Sequence, residues 1–226
     1  MSAVAEPERS NARLGFWVLT VAAVAALGYA ARFTTQSKTS DRSVLYHWST
    51  AVGGLFQFGI FLAIVLAISG GSSGRLALRP PRSWKRALGL ASAVFLVSWI
   101  GLGLLDKLFH GGQEQALTPD RWQPKHAAAF AANFLVIALV APVVEELLFR
   151  GIGFHLLQRF GATAAIVATG LAFGLYHGLV NALPILTLFG ISLAWLRSRT
   201  RSVYPGMLVH AAFNAVALIV SVTING

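Results

Sequence analysis

Apolar and polar stretches alternate along this chain, and a window of about 19 residues resolves seven apolar runs separated by short polar segments. The runs lie near 14–32, 51–69, 87–105, 127–149, 162–180, 182–196 and 203–222. The first is long enough to cross the hydrocarbon core as a helix rather than serve as the core of a cleaved signal. Pro142 lies inside the fourth run and is expected to kink it and free a carbonyl. Pro184 lies in the sixth, and the fifth and sixth nearly merge, so the pattern predicts six to eight crossings. The expected fold is an all-α polytopic membrane protein, a bundle of about seven transmembrane helices. Residues 1–13 form a polar N-terminal tail, residues 14–124 hold the first three spans, and residues 125–226 form a C-terminal helical core. With no long linker or internal repeat between them, these parts read as one integral membrane domain.

Composition agrees. The 226 residues are 56% hydrophobic and 12% charged, with a mean hydropathy of +0.67, whereas a soluble domain is about 25% charged. The chain contains no Cys, which excludes disulfides, thiolate nucleophiles and Cys-ligated metals. A net charge of +10 suggests nucleic acid only until its distribution is considered. The basic residues fall in the short segments between apolar runs, and no basic face with interleaved aromatics exists, so nucleic acid is excluded as a partner. Alternate segments carry 12 and 6 of the 18 Lys and Arg residues. The positive-inside bias then puts the N-terminus in the cytoplasm, together with the Arg75-to-Arg86 loop and the turn holding Arg197, Arg199 and Arg201. With Trp84 among its basic residues, the 75–86 loop reads as an interfacial anchor on anionic lipid. Docking of a substrate tail is its second reading.

Against this background Glu145 and Glu146 stand out, side by side in Ala-Pro-Val-Val-Glu-Glu-Leu-Leu-Phe-Arg, residues 141–150. Ionisable groups inside membrane-length apolar segments are costly and mark functional sites. On a helix, residues four apart share a face, so Glu146 and Arg150 form a natural ion pair. Glu145 points about 100° away and has no partner in its own helix, which makes it the candidate general base. Two further clusters follow at helical spacing, Phe173 to His177 and His210 to Asn214. Gly161 is the expected turn between the fourth and fifth helices, 16 residues after Glu145 and 16 before His177. In an antiparallel hairpin those side chains share one depth, about 24 Å from the turn. His210 lies about 15 Å beyond the basic 197–201 turn. The three clusters are therefore expected to meet in one inward-facing cavity in the cytoplasmic half of the membrane. Singly, each residue has a plainer use: an intramembrane His as a packing residue, Asn214 as interhelical glue. His47, His110, His126 and His155 lie near interfaces or in loops and are read that way.

Taken together and in this order, EExxxR (Glu145, Glu146, Arg150), FxxxH (Phe173, His177) and HxxxN (His210, Asn214) resemble the CPBP family. That family comprises the CAAX-type intramembrane proteases and the bacteriocin-processing and immunity (Abi) proteins. The resemblance covers residues 125 to 220 and implies an α-helical intramembrane endopeptidase. In the family's scheme Glu145 and His177 activate a water, while His210 and Asn214 stabilise the oxyanion. Glu146, Arg150 and Phe173 support them. Members are widely labelled metalloproteases, and a zinc ion would take Glu145, His177 and His210 as ligands. No HExxH pair exists here, so the expectation is a reaction with no cofactor, with zinc as the alternative. The implied partners are the lipid bilayer and a membrane-protein or lipidated-peptide substrate. The implied location is a bacterial inner membrane, with the N-terminus and the active-site opening cytoplasmic. Two other functions fit the same residues: a non-proteolytic scaffold or self-immunity protein, and an ion-coupled transporter. Against the transporter, the two halves show no inverted repeat.

Overall fold

A computed structural model describes residues 5–34, 43–114, 119 and 122–224 of the chain; residues 1–4 of the expected polar tail lie outside the described residues. Among the described residues, seven helices make up the bundle: α1 (Ala5–Thr34), α2 (Trp48–Ser69), α3 (Trp84–Phe109), α4 (Pro124–Phe160), α5 (Ala162–Tyr176), α6 (Leu183–Thr200) and α7 (Tyr204–Ile224). No strand occurs among the described residues. α1 starts well before residue 14, since residues 9–13 contain no Gly or Pro to stop it.

The helix ends follow local chemistry. α2 stops at Gly70 and Gly71, both at positive φ (59° and 66°), a conformation glycine adopts without steric cost. Pro80 and Pro81 delay α3 until Ser83, whose Oγ accepts from the Arg86 amide at 3.3 Å as an N-cap. Gly161 (φ 101°) makes the expected sharp turn between α4 and α5.

Five of the helices, α1 to α4 and α7, are long and apolar enough to cross a membrane. The fifth and sixth expected crossings are shorter. At 15 and 18 residues, α5 and α6 reach about 22 and 27 Å, less than the ~30 Å of hydrocarbon. They are the most closely packed pair in the bundle because small residues face each other. A Cβ on Gly190 would come within 2.8 Å of the Gly170 carbonyl oxygen and 2.9 Å of its Cα. Such close approach is how helices associate where no water drives them together.

The two ends of the bundle differ. At one end the start of α1, the 70–83 loop, the α4–α5 turn and the α6–α7 turn come together. Arg159 Nη1 donates to Asn11 Oδ1 at 2.7 Å, and Arg79 Nε donates to the Arg201 carbonyl at 2.8 Å. Arg13, Arg75, Arg79, Arg159 and Arg201 make this end basic. Leu76 and Ala77 are buried, so part of the 70–83 loop forms the floor of the bundle rather than lying on lipid. The other end gathers the end of α1, the short helical turn Gly111–Glu114 and the 177–182 turn. One charge departs from the topological reading. Arg197 is buried, donates from Nε to the Arg150 carbonyl at 3.1 Å, and lies 5.1 Å from the Phe154 ring centroid.

Candidate active site

α4 carries the acidic pair, and its backbone is not uniformly α-helical. Residues 136–140 and 147–153 wind as π turns on either side of Ala141–Glu146. π turns are rare, favour functional sites and disturb the i→i+4 ladder. In the first, the Ala141 amide bonds to the Val136 carbonyl, five residues back. The next bond in that register would come from residue 142, which is proline and has no N–H. The Ile137 carbonyl is thereby freed, and Asn214 Nδ2 donates to it at 2.9 Å. In the second π turn, Trp17 Nε1 donates to the Leu148 carbonyl at 2.9 Å, and Arg197 serves the Arg150 carbonyl.

Between the turns, Glu145 and Glu146 enter different surroundings. Glu146 and Arg150 are each 0% exposed. Arg150 Nη1 lies 3.0 Å from Glu146 Oε1, and its Nη2 donates to the Gly190 carbonyl at 2.8 Å. The guanidinium carbon sits 4.5 Å from the Phe173 ring centroid, so Phe173 joins this buried charge to the site. Gly206 makes room for the carboxylate: a Cβ there would stand 2.5 Å from Glu146 Oε2. Such a charge is tolerated in a dry interior only when paired and hydrogen-bonded.

Glu145 instead lines a cavity of about 530 Å³, whose wall also carries His177, His210 and Asn214. The rest of the wall is largely apolar, with Phe58, Trp99, Leu102, Ile185, Phe189 and Phe213 prominent. His210 stands between the two carboxylates, Nε2 being 3.6 Å from Glu145 Oε2 and Nδ1 3.4 Å from Glu146 Oε1. The spacing of the motifs had paired Glu145 with His177 and His210 with Asn214. The His210 bridge to Glu146 was not legible, because it depends on where α7 packs along α4. His177 makes no ion pair with Glu145 but faces the same cavity. Its Nδ1 lies 2.7 Å from the Phe173 carbonyl. A carbonyl only accepts, so Nδ1 is the protonated nitrogen and Nε2 is left as an acceptor.

The cavity departs from its expected position. Its wall includes Asp106 in the last turn of α3, Gly112, and Ile185 and Leu186 in the first turn of α6. It therefore extends towards the end of the bundle opposite the basic loops and the start of α1. The N-terminus and the cavity opening were expected on one side, whereas the start of α1 and the cavity lie towards opposite ends. The cause is depth: Glu145 and His177 each lie 16 residues from Gly161 at the basic end, about 24 Å of helix away from it.

Comparison with known proteins bears on this segment. Residues 127–216 match the family model described as type II CAAX prenyl endopeptidase Rce1-like. The segment is similar to Rce1-like domains. All three motifs fall inside it, whereas α1, α2 and α3 lie outside. At family level, an Rce1-like domain is a CAAX-type intramembrane protease, in keeping with a polytopic membrane fold. No curated protein and no solved structure matches the chain.

The family's metalloprotease label prompts a test of the donors. Among the described residues no group of three or more His, Cys, Asp or Glu side chains is placed to hold a metal ion. Glu146 is committed to Arg150, and Glu145, His177 and His210 do not close into a ligand set. As placed, these residues do not fit a zinc site.

Proposed function

We propose that the chain hydrolyses a peptide bond of a lipidated peptide or membrane protein, with Glu145, His177, His210 and Asn214 as its catalytic residues. One observation carries the reading: three motifs from α4, α5 and α7 converge on one mostly apolar cavity that holds two histidines and an unsealed carboxylate. A water held between Glu145 and His177 Nε2 gives a proton to Glu145 as its oxygen attacks the carbonyl carbon. Negative charge develops on the carbonyl oxygen, and donors fixed in a dry cavity stabilise it strongly. His210 Nδ1 rests on Glu146 Oε1 at 3.4 Å, while its Nε2, 3.6 Å from Glu145 Oε2 and beyond hydrogen-bond distance, is left to donate to the substrate. That Nε2 and the second N–H of the Asn214 amide supply those donors. Collapse of the tetrahedral intermediate breaks the C–N bond, and the departing nitrogen takes the proton from Glu145. Glu146 and Arg150 do not touch the substrate in this scheme; they hold His210 and α4 in place. The apolar wall suits a lipid-modified or hydrophobic segment, consistent with a substrate reached within the bilayer.

The decisive experiment compares the membrane proteome of wild-type cells with that of Glu145→Ala cells. A new protein terminus present only in the wild type is the expected result, and identical termini in both would refute proteolysis. Chelators should leave cleavage unchanged; reversible silencing by them would restore zinc. We further propose a bacterial inner-membrane location with the basic end in the cytoplasm, so that the cavity extends towards the opposite leaflet. Because the chain lacks Cys, single cysteines at Ser72 and at Gly112 report sidedness cleanly. A membrane-impermeant thiol reagent added outside should label the second and spare the first.

A further inference from the structure

His177 sits at the very end of α5, where a helix frays unless something holds it. The turn that follows, residues 177–182, is held by parts of the chain outside the Rce1-like domain. Gly178 has φ 63°, and a Cβ there would come within 2.7 Å of Gly28 Cα, so α1 packs backbone to backbone against the residue after His177. Tyr29 donates its hydroxyl to the Leu179 carbonyl at 3.0 Å. Glu114 then takes two amides of the same turn, Val180 N–H on Oε1 at 2.9 Å and Ala182 N–H on Oε2 at 2.8 Å. Its side chain is 2% exposed and ion-paired with Arg32. Ala182 immediately precedes α6, so the carboxylate also lies where the helix dipole favours an anion. Charge-assisted bonds of this kind are about twice as strong as neutral ones.

We propose that Gly28, Tyr29, Arg32 and Glu114 form a clamp on the 177–182 turn, and that Glu114 is a positioning residue acting through that turn on His177. The inference rests on His177 taking part in the reaction. Its consequence is a division of labour: the Rce1-like segment supplies the reacting groups, and α1 with the 111–114 turn fixes the one that lies on a helix end. A displacement of about 1 Å in a catalytic group can cost a hundredfold in rate, so a turn held by four contacts from two elements has kinetic consequences.

The test uses the full chain in detergent micelles and compares wild type with Glu114→Gln. Tyr29→Phe and Arg32→Met serve as milder versions should Glu114→Gln fold poorly. Hydrogen–deuterium exchange should show the Val180 and Ala182 amides exchanging about tenfold faster in the variants, the order expected from loss of a charge-assisted hydrogen bond. Amides in the middle of α5 should be unaffected. Diethylpyrocarbonate should modify His177 faster, with His210 unchanged. With a fluorogenic farnesylated CAAX peptide as probe, kcat should fall about ten- to hundredfold while KM stays within about twofold. Unchanged exchange and unchanged His177 reactivity would overturn the clamp, whatever the activity. Faster exchange with undiminished kcat would overturn its role in positioning. A wild type inert towards the peptide counts against the proposed proteolysis, and the exchange and modification results then judge the clamp alone.

Discussion

Glu145 and Glu146 are consecutive on one helix, yet their surroundings share little. On the Glu146 side, the carboxylate, the Arg150 guanidinium and the Gly190 carbonyl form a dry network, with Phe173 stacked on the cation and Gly206 leaving just enough room. On the Glu145 side, the carboxylate and His177 line one cavity of about 530 Å³, and His210 Nε2 stands 3.6 Å from Glu145 Oε2. The sealed side resembles a structural ion pair, expensive to bury and more expensive to break. The open side keeps Glu145, His177 and Asn214 on the wall of a cavity, where they can meet a substrate. His210 touches both, so the rigidity of one side is transmitted to the geometry of the other.

The contrast breaks most sharply at Arg150. Arg150→Ala leaves Glu146 buried without its counter-charge, and loss of one partner of a buried pair costs about 3 to 5 kcal/mol. Folded yield and the unfolding midpoint in detergent should both drop steeply. A variant that folds normally yet has lost cleavage would instead make Arg150 a ligand for the substrate. Glu145→Gln should do the reverse. Its unfolding midpoint should stay close to wild type while turnover falls about 10²- to 10⁴-fold, the range for loss of a general base. Undiminished proteolysis in that variant rules out the role.

Asn214 tests where the boundary between the two sides runs. Asn214→Ala should lower kcat about 10²- to 10³-fold, as removal of an oxyanion donor does, with KM little changed. A loss of only about 1 kcal/mol in stability, with turnover intact, would assign Asn214 to the Ile137 carbonyl alone. The smallest effect is expected at Trp17, remote from the cavity. Trp17→Phe removes one hydrogen bond to the Leu148 carbonyl and should cost about 1 kcal/mol of stability with kcat unaltered.

Much of this arrangement was readable from residue spacing. The i, i+4 relation announced the Glu146–Arg150 pair, found at 3.0 Å. Equal distances from Gly161 placed Glu145 and His177 at one depth, and both line the cavity. What spacing could not show depends on departures from regular helices or on distant partners. The π turns were invisible because residues 136–140 and 147–153 suit an α-helix equally well; only the missing N–H of Pro142 hinted at a freed carbonyl. The position of the cavity was misjudged because apolar runs at 162–180 and 182–196 read as crossings, whereas the turn at 177–182 ends both helices short. Nothing in the neighbourhood of Glu114 marks the amides it serves 66 and 68 positions away.

The π turn at 136–140 has a consequence for how this helix tolerates change. Each such turn is in effect one surplus residue absorbed without breaking the rod. Removing a single residue from 136–140 should let the segment relax to α-helical winding while residues 124–135 keep their face relative to Glu145, sparing the turn of about 100° that a deletion from a regular α-helix imposes. The half of α4 that meets lipid and the half that bears the acidic pair can thus be indexed separately, like two gears on one shaft. Insertions and deletions in the first half are absorbed there, and the orientation of the carboxylates is preserved.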